Sequence, residues 1–313
     1  MKIVVTGGAG FIGANLCREL LADEAVTEVV ALDDLSTGFK ENLDGVRAEL
    51  IEATILDPDA LDAAFDGADS VIHLGARGSV PRSVADPWAS HQANASGTVQ
   101  VLEAARRAGD LHVVVASSSS VYGANRELPK RESLVARPVS PYAASKLATE
   151  AYTLAWQHTY GLPALAFRFF NVFGPMQAVG HAYAAVVPAF VAAALEGRPL
   201  PVHGDGSQSR DFTYVGTVCE VLRLAAMGRV TSPEPVNLAF GSRTSLLEMI
   251  DILEGIVGHP LEREHMGRRA GDVDHTQADN SRLRELFPGV QPVELTEGLE
   301  TTVSWYRESL GLA

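Results

Sequence analysis

Lys2-Ile3-Val4-Val5-Thr6 leads into Gly7-Gly8-Ala9-Gly10-Phe11-Ile12-Gly13, and the apolar-periodic run Ala14 to Ala22 follows. The first five residues are rich in β-branched side chains and read as a strand; the last nine read as a helix. Strand, glycine turn and helix N-terminus in that order form a cradle for phosphate. The glycines let the backbone approach a pyrophosphate, and the helix dipole favours its charge. The glycines fall at 7, 10 and 13, a spacing that also occurs in ordinary turns. A second strand, Glu28 to Leu32, singles this one out, because it ends in Asp33, 20 residues after Gly13. A carboxylate there can bind both ribose hydroxyls of an adenosine and repels a 2′-phosphate. The expected cofactor is therefore NAD rather than NADP.

Outward from this unit the pattern repeats. Glu49 to Ile55 reads as a third strand and Asp59 to Phe65 as a helix after Pro58. Ser70 to Leu74 is a fourth strand, apolar enough to lie inside a parallel sheet. It runs into Gly75-Ala76, small residues where backbone can pass close to a cofactor. His91 to Ala108 reads as one helix containing Asn94, and Leu111 to Ala116 as a fifth strand ending in Ser117-Ser118-Ser119-Ser120-Val121-Tyr122-Gly123. Leu165 to Asn171 is a sixth strand. Alternation of this kind predicts an α/β fold, a Rossmann-type doubly wound parallel sheet over residues 1–171. Beyond residue 172 strands become scarce. Helices are expected at 184–195, 217–227, 245–257, 281–287 and 296–309, with short strands at 200–203 and 235–238. Residues 172–313 read as a smaller substrate-binding lobe interleaved with the last sheet elements.

Between the fifth and sixth strands lies Ser140-Pro141-Tyr142-Ala143-Ala144-Ser145-Lys146. Ser140 suits an N-cap and Pro141 a first helical turn. Tyr142 and Lys146 are four apart and so share a helix face. An ammonium beside a phenol stabilises phenolate, so the tyrosine is expected to titrate below its ordinary value near 10 and to act as a base. Such a pair also arises by chance; the strand-end serines and the glycine cradle give it a context.

The 313 residues carry a formal net charge of −14 with no block of like charges, which argues against a nucleic-acid partner. No apolar run reaches the roughly 18 residues of a membrane helix. Strand pattern begins at Lys2, so no leader peptide is expected, and Cys17 and Cys219 read as buried free thiols of a cytoplasmic protein. The nine His show no ligand-like spacing with Cys or acids, so no metal site is expected.

Taken in order, Gly7-x-x-Gly10-x-x-Gly13, Asp33, Ser118, Tyr142-x-x-x-Lys146, Asn171 and Arg210-Asp211-Phe212 resemble the extended short-chain dehydrogenase/reductases, most closely the UDP-sugar 4-epimerases. The resemblance spans nearly the whole chain, including Ser79 to Ser83, Arg168 to Pro175 and Gly204 to Phe212. It implies that Tyr142 removes the proton from the sugar 4-hydroxyl, that Ser118 hydrogen-bonds that hydroxyl, and that Lys146 holds the nicotinamide ribose. The C4 hydride would pass to NAD and return to the other face of a transient 4-keto sugar. For NAD the resemblance implies contacts from Gly7, Gly10, Phe11, Ile12 and Gly13. Asp33, Ser36, Thr37 and Gly38 follow, then Ile55, Leu74, Gly75, Ala76, Asn94 and Phe169, with Tyr142 and Lys146. For the UDP-sugar it implies Asn171, Arg210 and Arg269 as anion-binding groups and Ser79, Ser118, Ser119, Ser120 and Tyr142 near the hexose. Val187, Pro201, His203, Gln208, Asp272 and Thr276 complete that set. A homodimer packed through helices 91–108 and 143–159 is also implied.

Departures from the family pattern bear on the substrate. Ala53-Thr54-Ile55 stands where relatives carry Gly-Asp-Ile, and Gly78 where a Lys is frequent. Dehydratases and decarboxylases place an acid just after the catalytic hydroxyl residue; Ser119 and Ser120 stand there here, which favours an epimerase. Thr276, where some relatives have a large Tyr, leaves room for a substituent. The Ser118-Ser119-Ser120 row resembles UDP-glucuronate 4-epimerases, but Ala178 follows Gly174-Pro175-Met176-Gln177 where those enzymes have a nearby Arg. UDP-glucose/UDP-galactose is the expected pair, with the uronate and the N-acetylhexosamine as alternatives. A 4-keto-sugar reductase using NADPH is disfavoured by Asp33, and a non-catalytic dinucleotide sensor by the intact Tyr142 and Lys146.

Overall fold

Strands that are apolar on both faces need cover on both, and the alternating helices supply it. The computed structural model describes residues 1–178, 185–267 and 274–312. Strands β1 (Lys2–Thr6), β2 (Glu28–Asp33), β3 (Glu49–Glu52), β4 (Ser70–His73), β5 (His112–Ser118) and β6 (Ala164–Phe169) join an edge strand, Val236–Leu238, in one sheet. Its order is edge strand, β6, β5, β4, β1, β2, β3. Every pairing is parallel. The order reverses between β1 and β4, which opens a crevice beyond their carboxyl ends.

The helices are α1 (Phe11–Leu21), α2 (Pro58–Phe65), α3 (Val80–Ala85), α4 (Pro87–His91), α5 (Gly97–Arg107), α6 (Pro141–Tyr160), α7 (Val186–Leu195) and α8 (Val215–Met227). Alternate residues of each strand serve different layers. Ile3 and Val5 of β1, with Val114 of β5, pack with Leu16 and Leu20 of α1 and Val218 and Leu222 of α8. Val4, Val113 and Val115 face the opposite way, onto Leu61 and Phe65 of α2 and Val101 and Leu102 of α5. A third cluster lies off the sheet. Phe190 of α7, Val202, Phe212, Met249, Leu253 and Leu299 pack together there, within 172–313.

Boundaries differ from expectation in instructive ways. The first helix starts at Phe11 rather than Ala14, with Gly10 as its N-cap, so the glycine turn is tighter than the pattern suggested. The third strand ends at Glu52, not Ile55. The helix expected over 91–108 is interrupted: His91 ends α4, a π-helical turn spans Gln92–Ser96, and α5 follows. Helices α3 and α4, which carry Pro81 and Pro87, were not anticipated. Each proline sits in a first turn, where it has no amide to lose, and Ser79 and Asp86 cap the two helices. A strand at Arg263–Met266, also unforeseen, pairs with Leu200–His203.

Candidate active site

The glycine turn after β1 is tight because its glycines stand against backbone. A Cβ on Gly13 would lie 2.1 Å from the Gly7 carbonyl oxygen. A Cβ on Gly7, whose φ is +72°, would lie 2.8 Å from the Gly75 amide nitrogen. The turn is thus packed between α1 and the end of β4. At the end of β2, Asp33 is 7% exposed and accepts the amides of Ala9 (3.0 Å) and Leu35 (2.9 Å). Burial raises its carboxyl above the ordinary value, while these amide hydrogen bonds pull the other way. Both features line a cavity of about 910 Å3.

The same cavity is lined by Ser118, Tyr142 and Lys146 from the other side of the crevice. Ser140 caps α6 through the Ala143 amide at 3.1 Å, and the Tyr142 amide donates to Ser83 Oγ at 3.0 Å. Lys146 is 6% exposed and its ammonium donates to the Ala116 carbonyl at 2.7 Å. Burial lowers its pKa to about 8. For Tyr142, burial raises the phenol above its ordinary value, and a hydrogen bond with Ser118 is the opposing influence. The sequence led to the expectation of a depressed value. In the protein by itself the ammonium is committed to Ala116 and desolvation dominates.

Beneath Lys146 lies a buried relay. Thr98 Oγ1 donates to the Asn94 carbonyl at 2.5 Å. His73 Nε2 therefore donates to Thr98 Oγ1 at 3.2 Å, and its Nδ1 accepts from Thr6 Oγ1 at 2.7 Å. Burial first, and Lys146 second, lower His73 to about 3, so the ring is neutral.

Most sequence-identified residues meet here. Gly7, Gly10, Phe11, Ile12, Gly13, Asp33, Ser36 and Thr37 line the cavity, as do Ile55, Leu74, Gly75, Ala76 and Phe169. Ser119, Ser120, Asn171, Arg210 and Thr276 line its other end. Asn171 Nδ2 donates to the Asp211 carbonyl at 3.0 Å, and Asp211 in turn accepts Ser242 Oγ and the amides of Gly241 and Ala278. Val187, Pro201, His203 and Gln208 line an adjoining cavity of about 220 Å3 that shares Asn171 and Arg210. Three residues stand apart from these walls. Gly38 packs on the Ala9 backbone, and Ser79 caps α3. Asn94, 1% exposed, ties the Arg77 amide (2.7 Å) to Ser145 Oγ (2.8 Å). Arg269 and Asp272 lie outside the described residues, as does Arg268. Sequence reading gave no role to Arg82 or Lys130, which also line the main cavity. Arg82 was within reach, since it belongs to the Ser79–Ser83 run; Lys130 sits in a polar excursion with no periodic signal. Among the described residues no group of three His, Cys, Asp or Glu side chains could hold a metal ion, and no helix is long and apolar enough to cross a membrane.

A model of the NAD dependent epimerase/dehydratase family matches residues 3–239. The chain belongs to that family. It is 40% identical to a UDP-glucose 4-epimerase of Mycolicibacterium smegmatis, over 98% of this chain and 99% of the relative. Among solved structures it resembles the UDP-N-acetylglucosamine 4-epimerase of Methanobrevibacter ruminantium, with 35% identity, a TM-score of 0.92 and 98% of each chain covered. It is equally close to the UDP-glucose 4-epimerase of Thermotoga maritima, with 33% identity, a TM-score of 0.92, and 99% of this chain and 100% of that one covered. The family's cofactor suits the residues present: a glycine turn where a Cβ would clash, leading into the N-terminus of α1, and a carboxylate at the end of β2.

Two outcomes follow from this geometry. Gly13→Ala should weaken NAD binding at least about tenfold, roughly 1.4 kcal/mol, in a fluorescence titration. His73 should show no titration between pH 8 and pH 5 by 15N-edited NMR. Its folded value lies below the unfolded one, so only the unfolded chain takes the proton in that range. Stability from this group is then full above the ordinary histidine value and declines as acid is added.

Proposed function

We propose that the protein inverts C4 of a UDP-hexose through a transient 4-keto sugar. The observation that carries this reading is the placement of Ser118, Tyr142 and Lys146 in one cavity with the glycine cradle and Asp33 at one end and Asn171, Arg210 and Thr276 at the other. Residues 1–171 carry the cofactor and residues 172–313 the nucleotide sugar. Bound NAD supplies a reversible acceptor for the hydride that leaves C4, so the cycle has no net redox.

The chain's own residues do the rest. Tyr142, acting as the phenolate, takes the proton of the 4-hydroxyl and later returns it. Ser118 holds that hydroxyl and the phenol in one hydrogen-bonded group. Lys146 keeps a positive charge at the base of the site, which favours phenolate when the proton moves. Arg210 and Asn171 grip the diphosphate, while the hexose is held loosely enough to turn over. Ser119 and Ser120 provide no carboxyl group to expel water from the sugar, which separates this chemistry from dehydration. A second reading, a hexose bearing a carboxylate, is favoured by Lys130. It is 5% exposed, lines the same cavity as Ser119 and Ser120, and its ammonium donates to the Asn125 carbonyl.

The protein acts as a homodimer in this reading. Val84 of α3 (65% exposed), Trp88 of α4 (66%) and Tyr152 of α6 (41%) leave a large apolar face on packed helices. Association of two copies would cover it. The reducing cytoplasm suits the two buried free thiols, Cys17 and Cys219.

Purified protein incubated with UDP-glucose, UDP-N-acetylglucosamine or UDP-glucuronate should show axial–equatorial exchange at C4 by NMR without net NADH formation. Turnover only with added reduced cofactor would sink the epimerase reading. Tyr142→Phe should lower kcat by at least about a hundredfold while UDP-sugar affinity stays within a few-fold. Multi-angle light scattering should give twice the mass of one chain, and Trp88→Glu should shift it towards one.

A further inference from the structure

Three consecutive residues at the end of β5 each engage one of three residues spaced by four along α6. Lys146 donates to the Ala116 carbonyl at 2.7 Å. Ser117 Oγ donates to Glu150 Oε2 at 3.0 Å and leans on the Lys146 carbonyl at 3.4 Å. Ser118 hydrogen-bonds the Tyr142 phenol. Positions 142, 146 and 150 share one helix face, so these contacts form three rungs between strand end and helix. The outer rungs involve the groups that do the chemistry. Ser117 lines the cavity, but the Ser117–Glu150 rung uses the side chains of none of Ser118, Tyr142 and Lys146, and it is the one most heavily supported from behind.

That support is a buried ion pair. Arg168 of β6 donates through Nε to Glu150 Oε2 at 2.8 Å and through Nη2 to Oε1 at 2.6 Å. Both side chains are 5% exposed. The guanidinium also donates to the Glu132 carbonyl at 3.2 Å and lies 4.7 Å over the Tyr122 ring. Tyr122 donates to Asn237 Oδ1 at 2.7 Å, and Asn237 Nδ2 donates to the carbonyls of Lys130 and Asp279. The bidentate geometry fixes the Glu150 carboxylate in plane and direction. It leaves Oε2 aimed at Ser117.

We propose that Glu150, clamped by Arg168, is a positioning residue: through Ser117 it fixes the β5 terminus against α6 and so sets the Ser118–Tyr142 contact. This rests on the reading of Tyr142 and Ser118 given above. The stability of the fold gives no sufficient reason for the pair, since a buried ion pair is often matched or bettered by apolar residues of similar volume. A bidentate pair joined to the residue next to Ser118 does what apolar residues cannot, which is to hold a hydroxyl in direction as well as in place. Loss of the rung lets the strand end shift against the helix, and small displacements of reacting groups cost rate steeply.

The test separates position from packing. Glu150→Gln alone would leave Arg168 buried without its counter-charge and could unfold the chain. Ser117→Ala and the charge-neutral double variant Glu150→Leu with Arg168→Met avoid that. With ring-labelled tyrosine, the Tyr142 phenol titration is followed by 13C NMR in the wild type, both variants and Ser117→Thr. The expected result is a further upward movement in Ser117→Ala and in the double variant, as the Ser118 bond loosens, with Ser117→Thr restoring the wild-type value. On a UDP-hexose that the wild type turns over, kcat should fall about ten- to hundredfold in both variants, with KM within about threefold. An unmoved titration, or an unchanged kcat, in folded variants overturns the proposal. A wild type inactive on every UDP-hexose would instead sink the proposed function, and the titration would still decide this one.

Discussion

A cation held inside the protein by one backbone carbonyl sets the terms for the rest of the site. Lys146 is almost fully buried, and its ammonium donates to Ala116 at 2.7 Å. An ammonium so placed has given up most of its hydration, a penalty of several kcal/mol that one neutral carbonyl offsets only in part. The cost shows directly as a pKa brought down to about 8. It also explains the surroundings. His73, close beneath, is neutral and tied between Thr6 and Thr98, so no second positive charge competes. The entry to α5, a π-helical turn at Gln92–Ser96, lets the Asn94 carbonyl accept both Thr98 and Thr149. That arrangement knits α5 to α6 just where Lys146 must be held.

Charge is sorted along the cavity. The carboxylates Asp33 and Asp34 line the end formed by β2, whereas Arg77, Arg82, Lys130, Lys146 and Arg210 line the remainder. A chain of net charge −14 therefore presents a locally cationic hollow. Such a hollow attracts diphosphates while the outer surface repels other anions. Asp211 has a separate task at the far end. Its buried carboxyl, raised to about 6, gathers Gly241, Ser242 and Ala278 around the segment that carries Arg210. The Ser242 amide adds to these hydrogen bonds, and the guanidinium next door donates to the carbonyls of Ser209 at 2.9 Å and Asp274 at 3.1 Å.

Much of this was legible in the chain. The strand, glycine turn and helix of residues 2–21 follow from β-branched residues, close-packed glycines and amphipathic period, each a local property. Tyr142 and Lys146 share a face because a helix repeats every 3.6 residues, whatever surrounds it. Less legible were α3 and α4, helices of five or six residues too short to show a period. The exact paths of Arg82 and Lys130 into the cavity had no periodic mark. The Tyr142 pKa went the opposite way from the sequence argument, because spacing alone ignores burial and ignores the carbonyl that captures the ammonium.

By itself the sequence determined the strand–glycine turn–helix unit, the parallel α/β alternation and the shared helix face of Tyr142 and Lys146, since each depends on interactions within a few residues or on regular period. Only the tertiary structure decided what those residues feel. Ala116, Ser117 and Ser118 meet Lys146, Glu150 and Tyr142 because β5 lies beneath α6, a contact across some thirty positions of chain. Arg168 reaches Glu150 because β6 is hydrogen-bonded beside β5. Desolvation, electrostatic partners and the direction of a hydroxyl arise from such long-range neighbours, and no local pattern encodes them.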